Sequence, residues 1–225
     1  MLAGGLAFLA ACERQDPILT GDRLDVDEVL VSRRTVTAPE PGARTFAAPR
    51  AQANSAWSQS PVSPGARVTN AAWDGALETL WSRSIGQGDT KRARLLVDPV
   101  VGDGRIFVMD SANTVTALAT DGTEIWRRDL TPPSDAPRAA QGGGFALVDG
   151  VVYVTSGFGR LFALDAATGT ERWMQKLRSP ATGAPSVAGG LVYVTSADRT
   201  AWAIETDTGR VRWRIEGAGD TNNVA

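Results

Sequence analysis

Histidine is absent from this 225-residue chain, and cysteine occurs once. The first absence excludes imidazole acid–base chemistry, His-activated Ser or Cys nucleophiles and the usual imidazole zinc sites. A single Cys makes no intrachain disulfide and no cysteine metal cluster. Carboxylate pairs survive this filter, but none stands in a recognisable catalytic motif. Charge of one sign is not in excess: 23 Lys and Arg face 25 Asp and Glu, for a formal net charge of −2. Without a basic stripe, nucleic acid is not an expected partner. A long hydrophobic run is missing too. Leu2–Ala11 is apolar for only ten residues, and a membrane-spanning helix needs about 20. With 43% apolar residues, the chain is otherwise composed like an ordinary protein with a sizeable core.

What the sequence does contain is a repeat. Ala163–Trp173 reads Ala-Leu-Asp-Ala-Ala-Thr-Gly-Thr-Glu-Arg-Trp, and Ala203–Trp213 reads Ala-Ile-Glu-Thr-Asp-Thr-Gly-Arg-Val-Arg-Trp. Ala117–Trp126, Ala-Leu-Ala-Thr-Asp-Gly-Thr-Glu-Ile-Trp, is one residue shorter. The leading Ala recurs after 46 residues (117 to 163) and then after 40 (163 to 203). Apolar runs precede the three copies: Arg105–Val108, Val151–Val154 and Leu191–Val194. A period of this length, built from short strands and Gly turns, is the mark of a propeller or related array.

Three full repeats are expected over Leu95–Leu130, Gly143–Leu177 and Gly183–Ile215, each of four short antiparallel strands. In the third, Ala184–Val187 leads through Gly189-Gly190 to Leu191–Thr195. Thr200–Glu205 follows, then a turn at Asp207–Gly209 and Val211–Ile215. Gly supplies the positive φ that tight hairpins require. The second strands, such as Val151-Val-Tyr-Val, are apolar on both faces, as a strand packed between two sheets must be. Ala117, Gly122 and Trp126, then Ala163, Gly169 and Trp173, then Ala203, Gly209 and Trp213, are read as structural residues. A large indole is set beside a small Ala, and a binding residue has no reason to recur in register. Asp165 and Thr168 are expected to hydrogen-bond their own turn. Leu77–Ile85 resembles the end of a repeat without its beginning, with Trp81 as its Trp, and is expected to be a strand that completes another blade.

The N-terminal part divides differently. Leu2–Ala11 followed by Cys12 has the form of a secretory signal ending in a lipobox, although no Lys or Arg precedes the apolar run. Residues 1–11 are therefore read as a signal peptide and Cys12 as the lipidated residue. Residues 12–64, rich in Pro, Ala, Ser and Arg towards their end, are read as an extended tether. Trp57 and Trp73 are expected to dock on the folded part, and residues 65–225 hold the repeats. A ring of blades closes with about 4–8 of them. Three repeats and a lone strand therefore mark the chain as the expected N-terminal part of a longer protein.

The pattern Ala-x-Asp-x-x-Thr-Gly-x-x-x-Trp resembles the tryptophan-docking motif of pyrroloquinoline-quinone (PQQ)-like β-propellers. Joined to the lipobox, the tether, Arg92-Ala-Arg-Leu-Leu96 and Tyr153-Val-Thr-Ser-Gly-Phe-Gly159, it resembles the BamB family of outer-membrane protein assembly factors. The resemblance implies an all-β, eight-bladed propeller of four-stranded antiparallel blades, about three of them in this chain. It implies a lipid-anchored protein on the periplasmic face of the outer membrane, neither an enzyme nor dependent on a cofactor or metal. Its implied partners are BamA, other components of the β-barrel assembly complex and unfolded outer-membrane protein clients. The family's partner loop corresponds to Gly217–Val224, which lacks the Leu and Arg of that loop. Asp220, Asn222 and Asn223 are the partner-binding candidates there, with a plain solvated loop as the alternative. Two other functions stay open: a fragment of a PQQ-dependent dehydrogenase, and a propeller lipoprotein that scaffolds another envelope partner.

Overall fold

The computed structural model describes residues 49–59, 70–73, 75, 78–91, 93–181 and 183–217. Cys12, most of the expected tether and the loop residues Asp220, Asn222 and Asn223 lie outside the described residues. Among the described residues, twelve strands form three four-stranded antiparallel meanders. Blade 1 comprises β1 (Val100–Gly102), β2 (Arg105–Met109), β3 (Thr114–Ala119) and β4 (Glu124–Asp129). Blade 2 comprises β5 (Gly143–Val148), β6 (Val151–Ser156), β7 (Arg160–Asp165) and β8 (Glu171–Lys176). Blade 3 comprises β9 (Ser186–Ala188), β10 (Leu191–Thr195), β11 (Thr200–Glu205) and β12 (Val211–Glu216). This is the propeller-blade architecture expected from the repeat.

Turn chemistry sets these registers. The first hairpin of each blade turns on Asp103-Gly104, Asp149-Gly150 or Gly189-Gly190, with positive φ at both positions of each pair. Such two-residue turns match the right-handed twist of the flanking strands. The second hairpin ends on a left-handed residue in every blade, namely Asn113, Gly159 or Arg199. The carbonyl of that residue accepts a hydrogen bond from the end of the fourth strand: Leu130 at 3.1 Å, Leu177 at 2.8 Å and Gly217 at 3.0 Å.

Burial along the second strands reports which blades have neighbours. In β6, Val152 and Val154 pack toward blade 1 while Val151 and Tyr153 pack toward blade 3, and all four are buried. Each such side chain stabilises the fold by roughly 1.5–3 kcal/mol. In β10, Val192 and Val194 are buried against blade 2, but Tyr193 on the other face is 37% exposed. Its counterpart Tyr153 is 3% exposed. The difference arises because Tyr193 faces the open side of blade 3.

The blades converge at their first strands, where side chains shrink. The backbone of Ala184 lies so close to Gly144 that an added Cβ would collide with it. At Gly102 an added Cβ would stand 2.7 Å from Leu147 Cδ2. A segment of the lead-in crosses this inner side. Trp57 bridges Val101 of β1 and Gln59 bridges Ala146 of β5. Trp57 therefore docks through its backbone while its side chain stays partly exposed. Trp73 does not dock: it is 68% exposed, and its indole N–H donates to the nearby Gly75 carbonyl. The expectation for Trp73 is corrected: among the described residues its indole finds a local polar partner and no apolar seat.

Residues 78–85 form no strand. A completing strand needs a three-stranded partner, and each of the three sheets already holds its own fourth strand, β4, β8 or β12.

Candidate functional site

The recurring residues build joints between blades. Across each sheet an aromatic residue, an Ala and a Trp stand opposite one another: Phe107, Ala117 and Trp126 in blade 1. Tyr153, Ala163 and Trp173 repeat the row in blade 2, and Tyr193, Ala203 and Trp213 in blade 3. Because Ala is small, the flanking rings meet above it, with centroids 5.9, 5.9 and 6.1 Å apart and tilts of 47°, 45° and 46°. Such tilted aromatic pairs add about 0.5–1.5 kcal/mol beyond their buried area.

Trp126 and Trp173 then reach into the next blade. The Trp126 indole N–H donates to the Ala166 carbonyl at 3.0 Å, and Trp173 donates to Thr206 at 2.7 Å. The ring lies against the glycine of the receiving turn. A Cβ on Gly169 would stand 2.7 Å from Trp126 Cδ2, and one on Gly209 would stand 2.7 Å from Trp173 Cδ2. Both glycines also have positive φ, 71° and 69°. The sequence reading set each Trp beside the Ala of its own repeat; its main seat is the following blade.

Trp81 makes the same joint from outside any sheet. Its indole N–H donates to the Thr120 carbonyl at 2.8 Å, and Gly122 receives its ring. The blade 1 turn takes it in although one residue shorter. Gly122 N–H donates to Ala119 O at 3.0 Å, where Gly169 N–H reaches Asp165 O at 2.8 Å.

Two Arg residues clasp these joints, and the sequence reading missed both. Arg83 donates to Gly122 O at 3.1 Å and to Glu124 Oε2 at 3.0 Å. Arg128 donates to Gly169 O at 3.3 Å and to Glu171 Oε2 at 2.8 Å. The signal was present as Trp-x-Arg at 81–83 and 126–128, answered by Gly-x-Glu at 122–124 and 169–171. At the next joint Gln175 and Val211 replace the pair, and no clasp forms.

Asp165 caps its turn as expected. Its Oδ1 accepts from the Ala167 and Thr168 amides and from the Thr168 hydroxyl, each at 3.1 Å. The Arg172 guanidinium, 2.9 Å from Oδ2, is the main influence holding this carboxyl down at about 2.

A wide depression of about 840 Å³ opens on blade 1 between the lead-in and the loop after β4, lined by Gln87, Asp110, Arg127 and Arg138 among others. Its carboxylate is already committed: Asp110 accepts from the amides of Gln87, Ala112 and Thr114 at 2.9, 2.9 and 2.8 Å. Arg127 is paired with Glu124 at 3.0 Å, and Arg138 donates to the Gln87 side chain. Among the described residues, no three His, Cys, Asp or Glu side chains group so as to hold a metal ion. No described helix is long and apolar enough to cross a membrane.

Four-stranded blades joined Trp-to-Gly define the class: a tryptophan-docked β-propeller of the PQQ-like kind. The family described as outer membrane protein assembly factor BamB matches residues 67–142 and 111–225, well over half of the chain. The chain belongs to that family.

Among its relatives is the outer membrane protein assembly factor BamB of Salmonella typhimurium. It is 33% identical over 114 residues, 49% of this chain and 29% of that protein. A quinohemoprotein alcohol dehydrogenase of Comamonas testosteroni is 42% identical over 102 residues, 40% of this chain and 14% of the enzyme. A crystal structure of BamB from Moraxella catarrhalis aligns over 56% of this chain and 38% of its own, at 19% identity and a TM-score of 0.44. The chain thus spans less than a third of the length of the curated relatives it matches.

Proposed function

We propose that this chain is part of a non-enzymatic scaffold of the outer-membrane β-barrel assembly machinery. On this reading it is anchored through lipidated Cys12 on the periplasmic face, binds BamA and helps to position unfolded outer-membrane proteins. Family membership over residues 67–225 is the observation that carries the proposal. The fold is consistent with it. The repeated Trp, Gly and Ala residues are consumed in blade joints, which leaves a rigid frame whose loops and sheet edges suit extended chains. Asp220, Asn222 and Asn223 remain candidates for the partner loop.

The test is recovery of the native protein from crosslinked envelopes. BamA should co-purify with the wild type, and Cys12→Ser should leave the fold intact while releasing the protein from the membrane fraction. A reproducible partner other than BamA would instead favour a scaffold for another envelope complex.

A second reading, a fragment of a PQQ-dependent dehydrogenase, is favoured by the 42% identity to the quinohemoprotein alcohol dehydrogenase. Stoichiometric quinone binding and alcohol oxidation by the full-length protein would establish it.

A further inference from the structure

Three consecutive residues of the lead-in hydrogen-bond one inner-edge residue in each of the three blades. Trp57 exchanges both backbone hydrogen bonds with Val101 of β1, donating at 2.7 Å and accepting at 2.8 Å. The Leu147 amide of β5 donates to the Ser58 carbonyl at 2.7 Å. On β9 the Gln59 side chain takes over the part of a backbone. Val187 N–H donates to its Oε1 at 2.9 Å, and its Nε2 donates to the Val187 carbonyl at 3.4 Å. An edge strand with unpaired N–H and C=O groups is a template for a further extended chain. Here three edges are brought within reach of one such chain because the blades converge.

Two more observations mark the crossing segment as an occupant rather than a member of the sheets. It is held by main-chain groups and one amide. Gln59 is 4% exposed, whereas the Trp57 side chain stays partly exposed and is no buried anchor. Binding of this sort takes its affinity from backbone pairing and tolerates many sequences. The segment also departs from a separate attachment. Gln52 N–H donates to Asn70 O at 2.9 Å, and Ala72 N–H donates to Gln52 O at 2.7 Å. Gln52 is therefore held to Asn70 and Ala72 by hydrogen bonds separate from those of residues 57–59.

We propose that the inner edges of β1, β5 and β9 form a groove for an extended polypeptide, with residues 57–59 as its resident, exchangeable occupant. The visitor is an unfolded segment that pairs its backbone with Val101 and carries Gln or Asn two residues later. Strands of membrane β-barrels alternate polar and apolar side chains, so polar side chains, amides among them, share one face at that spacing. The inference rests on the assembly reading only for the identity of this visitor.

The probe is a labelled peptide of residues 54–60, Asn-Ser-Ala-Trp-Ser-Gln-Ser, added to the full chain. Binding is followed by anisotropy, and amide exchange is followed at Val101, Leu147 and Val187. The tethered segment competes at an effective concentration on the order of millimolar. The double variant Trp57→Pro with Gln59→Ala should therefore bind the peptide about tenfold more tightly than wild type, or better. Its three edge amides should lose protection and regain it with peptide, while Val152 and Val192 stay protected throughout. A peptide with Ala for Gln should bind more weakly and leave Val187 unprotected.

Equal affinity for wild type and variant, no binding at millimolar peptide, or binding that leaves the three amides unprotected would each overturn the groove. A wild-type dimer that the peptide does not dissociate would also overturn it, by making a second copy the occupant. If the double variant loses protection at Val152, Gln59→Ala alone is compared, and its loss should be confined to Val187. Recovery of BamA tests the assembly reading separately, so either result can fail without the other.

Discussion

Gly169 has to satisfy two demands, since its φ is 71° and its missing side chain is the seat of Trp126. Gly169→Ala meets backbone strain and a ring that has nowhere to go, and overpacking alone costs about 1–3 kcal/mol. Trp126→Ala removes the ring instead and should cost about 3–5 kcal/mol. In chemical denaturation, the double variant should lose less than the sum of the two, because each change destroys the same joint. Strict additivity would show that the residues do not share it. Asp165 gives a residue-scale pH effect. Its carboxyl lies at about 2 in the fold against an ordinary 3.8, chiefly through Arg172, so the folded state binds fewer protons than the unfolded chain. The stability it contributes is complete above about pH 4 and is lost as pH falls through about 2. Thermal melts of Asp165→Asn should accordingly show a flatter decline than wild type across that window.

At the scale of elements, the Trp-bearing strands and their receiving turns behave as paired units, and Arg128 is the lock between two of them. It joins β4 to the Gly169 carbonyl and to Glu171 on β8. The pair is partly exposed, so a double-mutant cycle of Arg128→Ala and Glu171→Ala should return a coupling of only about 0.2–1 kcal/mol, weakening with salt. Most of this architecture was legible in the sequence. The third repeat's strands fall within a residue or two of their expected bounds, because Gly189-Gly190 and the Thr-Gly turn punctuate them. Ala, Gly and Trp stood out because they recur together. Which blade receives the indole was not legible, since periodicity places a residue within its own repeat and is silent on the neighbour. The Arg clasp escaped for a related reason: it occurs at two joints and fails at the third. The crossing by residues 57–59 had no local signal. Gln59 meets Val187 across 128 positions, in a stretch with no hydrophobic period.

For the molecule as a whole, stability should be graded across the blades. Blade 2 is packed on both faces, and every residue of β6 is buried, whereas every residue of β12 is exposed. Native-state hydrogen exchange should therefore find the slowest amides in β6 and β7 and the fastest strand amides in β12. Uniform protection across the three blades would contradict this picture. Trp213, 39% exposed, already holds the same tilt against Tyr193 that Trp126 and Trp173 hold against their partners. The indole is thus oriented before it has a seat. Every blade carries an indole on one flank and a glycine turn on the other, so the joint has a sense of rotation and cannot be assembled backwards. A tandem duplication of one blade's coding segment would insert a unit whose two flanks already fit both neighbours. In such a lineage, blade number can drift by copying, with no interface to be invented at any step.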